Sequence, residues 1–108
     1  MRIHRNEIAL SAIVLHELYF GAYGGRAGAD DIDRLRTLDM AVLDFGPEDA
    51  RVAAEIRADL RRKAMPIGPY DLLIAGQALA RGLVVVTANG REFERVEGLK
   101  VEDWAAGG

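Results

Sequence analysis

The chain has 108 residues, half of them apolar and 29% charged, with a net charge of −3, a mix that suits one globular domain over residues 1–108. It contains no cysteine and only two histidines, His4 and His16, which excludes disulfides and thiolate metal sites and leaves too few imidazoles for a His-rich zinc centre. The mild acidity excludes a general electrostatic attraction to nucleic acid but permits a metal site that itself binds phosphate.

The opening MRIHRNEIALSAIVL is basic and then apolar, but Glu7 interrupts it and no small-residue cleavage site follows, so it does not read as a secretory signal. The longest apolar runs, ALSAIVL and GLVVVTA, are too short to span a bilayer, and a soluble cytoplasmic protein is expected. EIALSAIVL begins as a short buried strand, with Ser11 as cap of a helix carrying His16, Glu17, Leu18, Tyr19 and Phe20. Gly21, Gly24, Gly25 and Gly28 end that helix in a loop. DDIDRLRTLD reads as a charged helix and MAVLDF as a strand. GPEDARVAAEIRADLRRKA has the clearest helical pattern. Pro47, Glu48 and Asp49 suit its first turn, Val52, Ile56 and Leu60 recur every four residues beside Ala53, and Arg61, Arg62 and Lys63 suit its end. MPIGP breaks the chain, and a helix over 69–81 follows with Gly82 as its stop. LVVVT reads as a strand buried on both faces, ANGREFERV as a turn and short helix, and LKVEDW as a last short strand or docked tail. Strands alternating with helices predict an α/β fold with a mainly parallel sheet flanked by helices. No internal repeat or linker interrupts it.

Ligands of parallel α/β sheets bind beyond the carboxyl ends of the strands. Glu17, Asp71, Asn89 and Glu92 lie near such points or near helix starts. Carboxylates brought together repel unless a cation joins them, and an all-oxygen donor set suits Mg²⁺ or Mn²⁺. Each residue also has a plainer reading. Glu17 fits the surface of an amphipathic helix, although Val14, Leu15, Leu18 and Tyr19 around it predict partial cover. Asp71 complements a helix N-terminus, Asn89 opens an Asn-Gly turn, and Glu92 suits the start of the short helix. RADLRRK is read as a solvated helix end rather than an RNA contact, His16 as a surface histidine rather than a general base, and Trp104 as a packing anchor.

Taken together and in order, ALSAIVLHELYFGA, PIGPYDLLIAGQALA and LVVVTANGREFERVEGLKVEDW resemble the VapC-type toxins of the PIN-domain superfamily over nearly the whole chain. The resemblance implies a PIN-like fold and a metal-dependent endoribonuclease, the toxin of a type II toxin–antitoxin pair. It further implies a homodimer bound by a small antitoxin. Glu17 matches the family's second acid and Asp71 its third. Asn89 matches a position after the last strand that is Asp or Asn, and Glu92 matches an acid in the same loop. On the resemblance, Glu17, Asp71 and Asn89 hold one or two Mg²⁺ or Mn²⁺ ions, and Glu92 completes the catalytic set.

One feature departs from the family. Its opening strand ends in an LDTN-like motif whose Asp is the first metal ligand, and no DTN occurs here. The family's first strand and first helix, on the order of 30 residues, are therefore expected to be absent from this chain. That would leave a metal site short of one carboxylate and a sheet with unpaired edges. The main expectation is a ribonuclease whose N-terminal segment is missing from the chain as given. The alternative is a catalytically inactive module that retains antitoxin or dimer binding.

Overall fold

The computed structural model describes residues 9–25 and 29–103. Contacts divide the chain into two compact units, Met1–Phe45 and Gly46–Gly108. His4, Glu7, Gly28 and Trp104 lie outside the described residues.

In the first unit, β1 (Ala9–Ser11) leads directly into α1 (Ala12–Gly24), followed by α2 (Ala29–Arg36) and β2 (Ala41–Leu43). Ser11 caps α1 as expected, its hydroxyl accepting the Ile13 N–H at 3.1 Å. β1 and β2 pair in parallel, Ala9 opposite Ala41 and Ser11 opposite Leu43. The expectation of a buried first strand is corrected: Ala9 is exposed, and Leu10 and Ser11 are half-buried. β1 has β2 as its one strand partner among the described residues, so little covers it. α1 carries apolar side chains on all sides and buries none of them fully; Phe20 is 75% and Tyr23 69% exposed. α2 follows the dipole rule, with Asp30 and Asp31 in its first turn and Arg34 and Arg36 in its last.

The second unit contains α3 (Pro47–Arg62), α4 (Pro69–Arg81), β3 (Val84–Thr87), α5 (Gly90–Phe93) and β4 (Lys100–Asp103). Its core forms where the predicted stripe of α3 meets α4. Val52, Ile56 and Leu60 pack with Ala75, Ala78, Val85, Phe93 and Val96. The helices approach so closely at Gly76 that an added Cβ there would lie 2.5 Å from the Ala53 Cβ and 2.6 Å from its Cα. Asp49 ties the pair together. It accepts the Gly46 N–H at 2.7 Å at the start of α3, and Arg81 at the end of α4 grips it with bonds of 3.1 and 2.8 Å. Arg81 is the main reason that the Asp49 carboxyl titrates below the usual carboxylate range; burial opposes the shift and the Gly46 N–H reinforces it.

Gly82 stops α4 with φ +65°, and the Leu83 N–H reaches back to the Ala78 carbonyl at 2.8 Å, closing a Schellman turn. β3 and β4 run parallel, Val84 opposite Lys100 and Thr87 opposite Asp103. LKVEDW thus supplies a true strand. LVVVT is corrected from buried on both faces to buried on one: Val85 is 7% exposed, but Val84 and Val86 are 45% and 44% exposed. The alternation follows from a strand whose Val85 side meets the helices while β4 is its one strand partner among the described residues.

Candidate active site

Two chain segments of the second unit converge at the start of α4. The first is Gly68–Pro69–Tyr70–Asp71, where Pro69 occupies the first turn of α4 and Asp71 follows within it. The second leaves the carboxyl end of β3 through Thr87 and Asn89 into α5, whose first turn carries Glu92. A Cβ built on Gly68 would stand 3.7 Å from Asp71 Oδ2 and 3.9 Å from Glu92 Oε2. Both carboxylates, each half-buried, therefore reach the same small space beside a residue that has no side chain.

Hydrogen bonds between side chains and main chain hold the two segments. Arg95, just beyond α5, donates from Nη1 to the Pro66 carbonyl at 2.8 Å and ties the loop before α4 to the segment after α5. The Thr87 hydroxyl accepts the Asn89 N–H at 3.0 Å. Asp103, opposite Thr87 in the strand register, accepts the Gly90 N–H at 2.9 Å. Asn89 precedes α5 without capping it through its side chain, so the amide is exposed at the mouth of the loop.

Of the residues expected from sequence, the structure brings Asp71 and Glu92 together and puts Asn89 in the same loop. Glu17 lies on α1, in the other compact unit. Its expected partial cover is corrected, because it is exposed on a helix whose neighbouring side chains are themselves only partly buried. Among the described residues, no group of three or more His, Asp or Glu side chains is gathered as a cation site. The described grouping is a pair of carboxylates that reach the space beside Gly68, with Asn89 in the loop that leads to Glu92, a set whose oxygens would suit a hard cation.

Two residues of this neighbourhood were not singled out from the sequence, Arg95 and Asp103. The clue to Asp103 was the length match between VVVT and KVED, which in parallel register sets it beside the residue where the loop leaves. RADLRRK behaves as a solvated helix end: Asp59 pairs with Lys63 at 2.9 Å and with Arg62 at 3.4 Å. His16 is exposed on α1.

Residues 1–99 match the PIN domain family. The chain is 42% identical over 104 residues to the tRNA(fMet)-specific endonuclease VapC of Salmonella typhimurium, spanning 94% of this chain and 79% of that protein. The chain belongs to the VapC group of the PIN-domain family. Two solved VapBC structures extend the likeness to three dimensions. The DNA-bound VapBC of Salmonella typhimurium matches with a TM-score of 0.84 at 45% identity, over 89% of this chain and 74% of that one. VapBC-1 of nontypeable Haemophilus influenzae matches with a TM-score of 0.86 at 28% identity, over 97% and 80%. The α/β, PIN-like architecture expected from the sequence is the fold of these VapC relatives.

Proposed function

We propose that this chain is a metal-dependent endoribonuclease, the toxin of a type II toxin–antitoxin pair, acting in the cytoplasm on RNA phosphodiester bonds. Membership in the VapC group carries the reading, since the Salmonella relative at 42% identity is named as a tRNA-specific endonuclease. The convergence of Asp71 and Glu92 at Gly68 supports it from the side of chemistry. Two carboxylates that reach one small space are the donor type that a divalent cation takes. With Asn89 in the same loop as Glu92, the set offers oxygen donors, which favours Mg²⁺ or Mn²⁺. Such an ion supplies a more acidic bound water and charge stabilisation at a phosphodiester. The residues of this chain hold and orient: Asp71 and Glu92 provide anionic oxygens, and Asn89 adds an uncharged acceptor at the open edge.

The partner is a small antitoxin, by analogy with the VapBC complexes that the fold resembles; a homodimer is proposed from the family resemblance alone. Initiator tRNA is the first substrate to try, because the Salmonella relative is named for it. The test incubates the chain with that tRNA and with total RNA, in Mg²⁺, Mn²⁺ or EDTA. Cleavage is expected only with metal, and Asp71→Asn is expected to lower it about 100-fold or more, beyond the typical loss for an outer-shell residue. Cleavage that survives EDTA, or that Asp71→Asn leaves intact, would refute the proposal. Antitoxin capture without cleavage would point instead to a non-catalytic binding module.

A further inference from the structure

We infer that Asp103 is a positioning residue for the Asp71–Glu92 pair: its carboxylate, at the end of β4, fixes the backbone of the loop that carries Asn89 and Glu92. The inference rests on the nuclease reading above and adds to it a residue that reaches the site through the main chain.

Three observations carry it. The parallel register sets Asp103 opposite Thr87, at the carboxyl end of β3 where the loop departs. Asp103 Oδ2 then accepts the N–H of Gly90, the first residue of α5, at 2.9 Å. That donor has no partner within the helix, so an acceptor from elsewhere must satisfy it. Lastly, Gly90 is buried, and a Cβ built there would run into the Asp103 side chain, with Cβ and Cγ each 2.9 Å away. The carboxylate reaches the backbone this closely only because residue 90 is glycine.

The consequence lies two residues along. α5 is a four-residue helix, too short to hold its direction by its own hydrogen bonds. Its aim comes from Phe93, packed in the core, and from two polar anchors at its start: Thr87 on the Asn89 N–H, and Asp103 on the Gly90 N–H. Of the two polar anchors the second is the stronger, since an ionised acceptor makes a charge-assisted bond. Glu92 lies in the first turn of α5, so a firm start to the helix sets where its carboxylate reaches beside Gly68.

The experiment compares Asp103→Ala and Asp103→Asn with the wild-type chain. Three readouts are taken: the rise in Tm on adding Mn²⁺, RNA cleavage in Mn²⁺, and the amide proton shift of Gly90 by NMR. Asp103→Ala is expected to lose the Mn²⁺-dependent rise, to cut RNA about 10- to 100-fold more slowly, and to lose the hydrogen-bonded shift at Gly90. Asp103→Asn keeps an oxygen that accepts from Gly90 and is expected to restore most of all three. Should Asp103→Ala fail to fold, Asp103→Asn decides alone, a near-wild-type result supporting the inference. Two results would overturn it: Asp103→Ala with wild-type metal response and cleavage, or Asp103→Asn with neither. A wild-type chain that ignores Mn²⁺ and leaves RNA intact would sink the nuclease reading and this inference with it. That outcome is distinct from a wild-type response that Asp103→Ala retains.

Discussion

Replacing Gly76 by alanine would put a methyl carbon 2.5 Å from the Ala53 Cβ, 2.6 Å from its Cα and 2.7 Å from its backbone nitrogen. Carbon atoms in contact sit about 3.5–4.0 Å apart, so α3 and α4 would have to separate by about 1 Å at their closest point. No rotamer change relieves the clash, because two of the three atoms are backbone. Overpacking costs about 1–3 kcal/mol, and the immobility of the α3 backbone puts this site near the upper value. Alanine in place of glycine returns about 1 kcal/mol of helix propensity. The net loss is about 2 kcal/mol, which for a domain of this size lowers Tm by about 8–16 °C. Thermal melts followed by circular dichroism measure it, with coincident near- and far-ultraviolet transitions as the two-state check. The double variant Ala53→Gly, Gly76→Ala sharpens the test. Deleting the Ala53 methyl removes the 2.5 Å contact but leaves those with Cα and N, so little stability should return. A Gly76→Ala protein that melts at or above the wild-type temperature would refute the reasoning, as would full rescue by Ala53→Gly.

The link between Asp49 and Arg81 predicts a pH signature. Arg81→Met leaves Asp49, 3% exposed, with the Gly46 N–H and the Gln77 side chain but without its cation, and should cost about 2–3 kcal/mol in urea melts. That is below the figure for a fully buried pair, because Arg81 is itself 36% exposed. The folded Asp49 carboxyl titrates below its unfolded value of about 3.9, so the unfolded chain binds more protons between the two values. The stabilisation is therefore complete above about pH 5 and is lost as pH falls through the folded value; Arg81→Met should flatten that acid limb, and equal slopes in both proteins would count against it. Two glycines at the site should respond oppositely to alanine. Gly68→Ala meets Asp71 and Glu92 at ordinary contact distances of 3.7 and 3.9 Å and should melt within about 0.5 kcal/mol of wild type. Gly90→Ala collides with Asp103 and should lower Tm and shift the amide signals of residues 88–95.

The long helices were legible because their signals are local. Pro47 and Pro69 mark first turns, Val52, Ile56 and Leu60 mark a face, and Gly82 takes the left-handed stop that favours glycine. Strand burial was not legible, since three valines in a row read the same whether one face or both are covered. The acids show the limit more sharply. Gly46–Pro47–Glu48–Asp49 and Gly68–Pro69–Tyr70–Asp71 are the same local pattern, and the local geometry repeats: a Cβ on either glycine would lie 3.7 Å from the Oδ2 of the aspartate three residues on. What separates the two acids arrives from elsewhere in the chain. Arg81 comes to Asp49 and makes it a structural anion, and Glu92 reaches the space beside Gly68 that Asp71 also reaches. An acid gripped by a cation of the fold holds two helices together, whereas two acids that reach one space supply the oxygen donors from which a hard-cation site is built. That distinction lies in the packing of α4 against α5 and in the anchoring of α5 by Asp103, neither of which is written in the spacing of residues around Asp71.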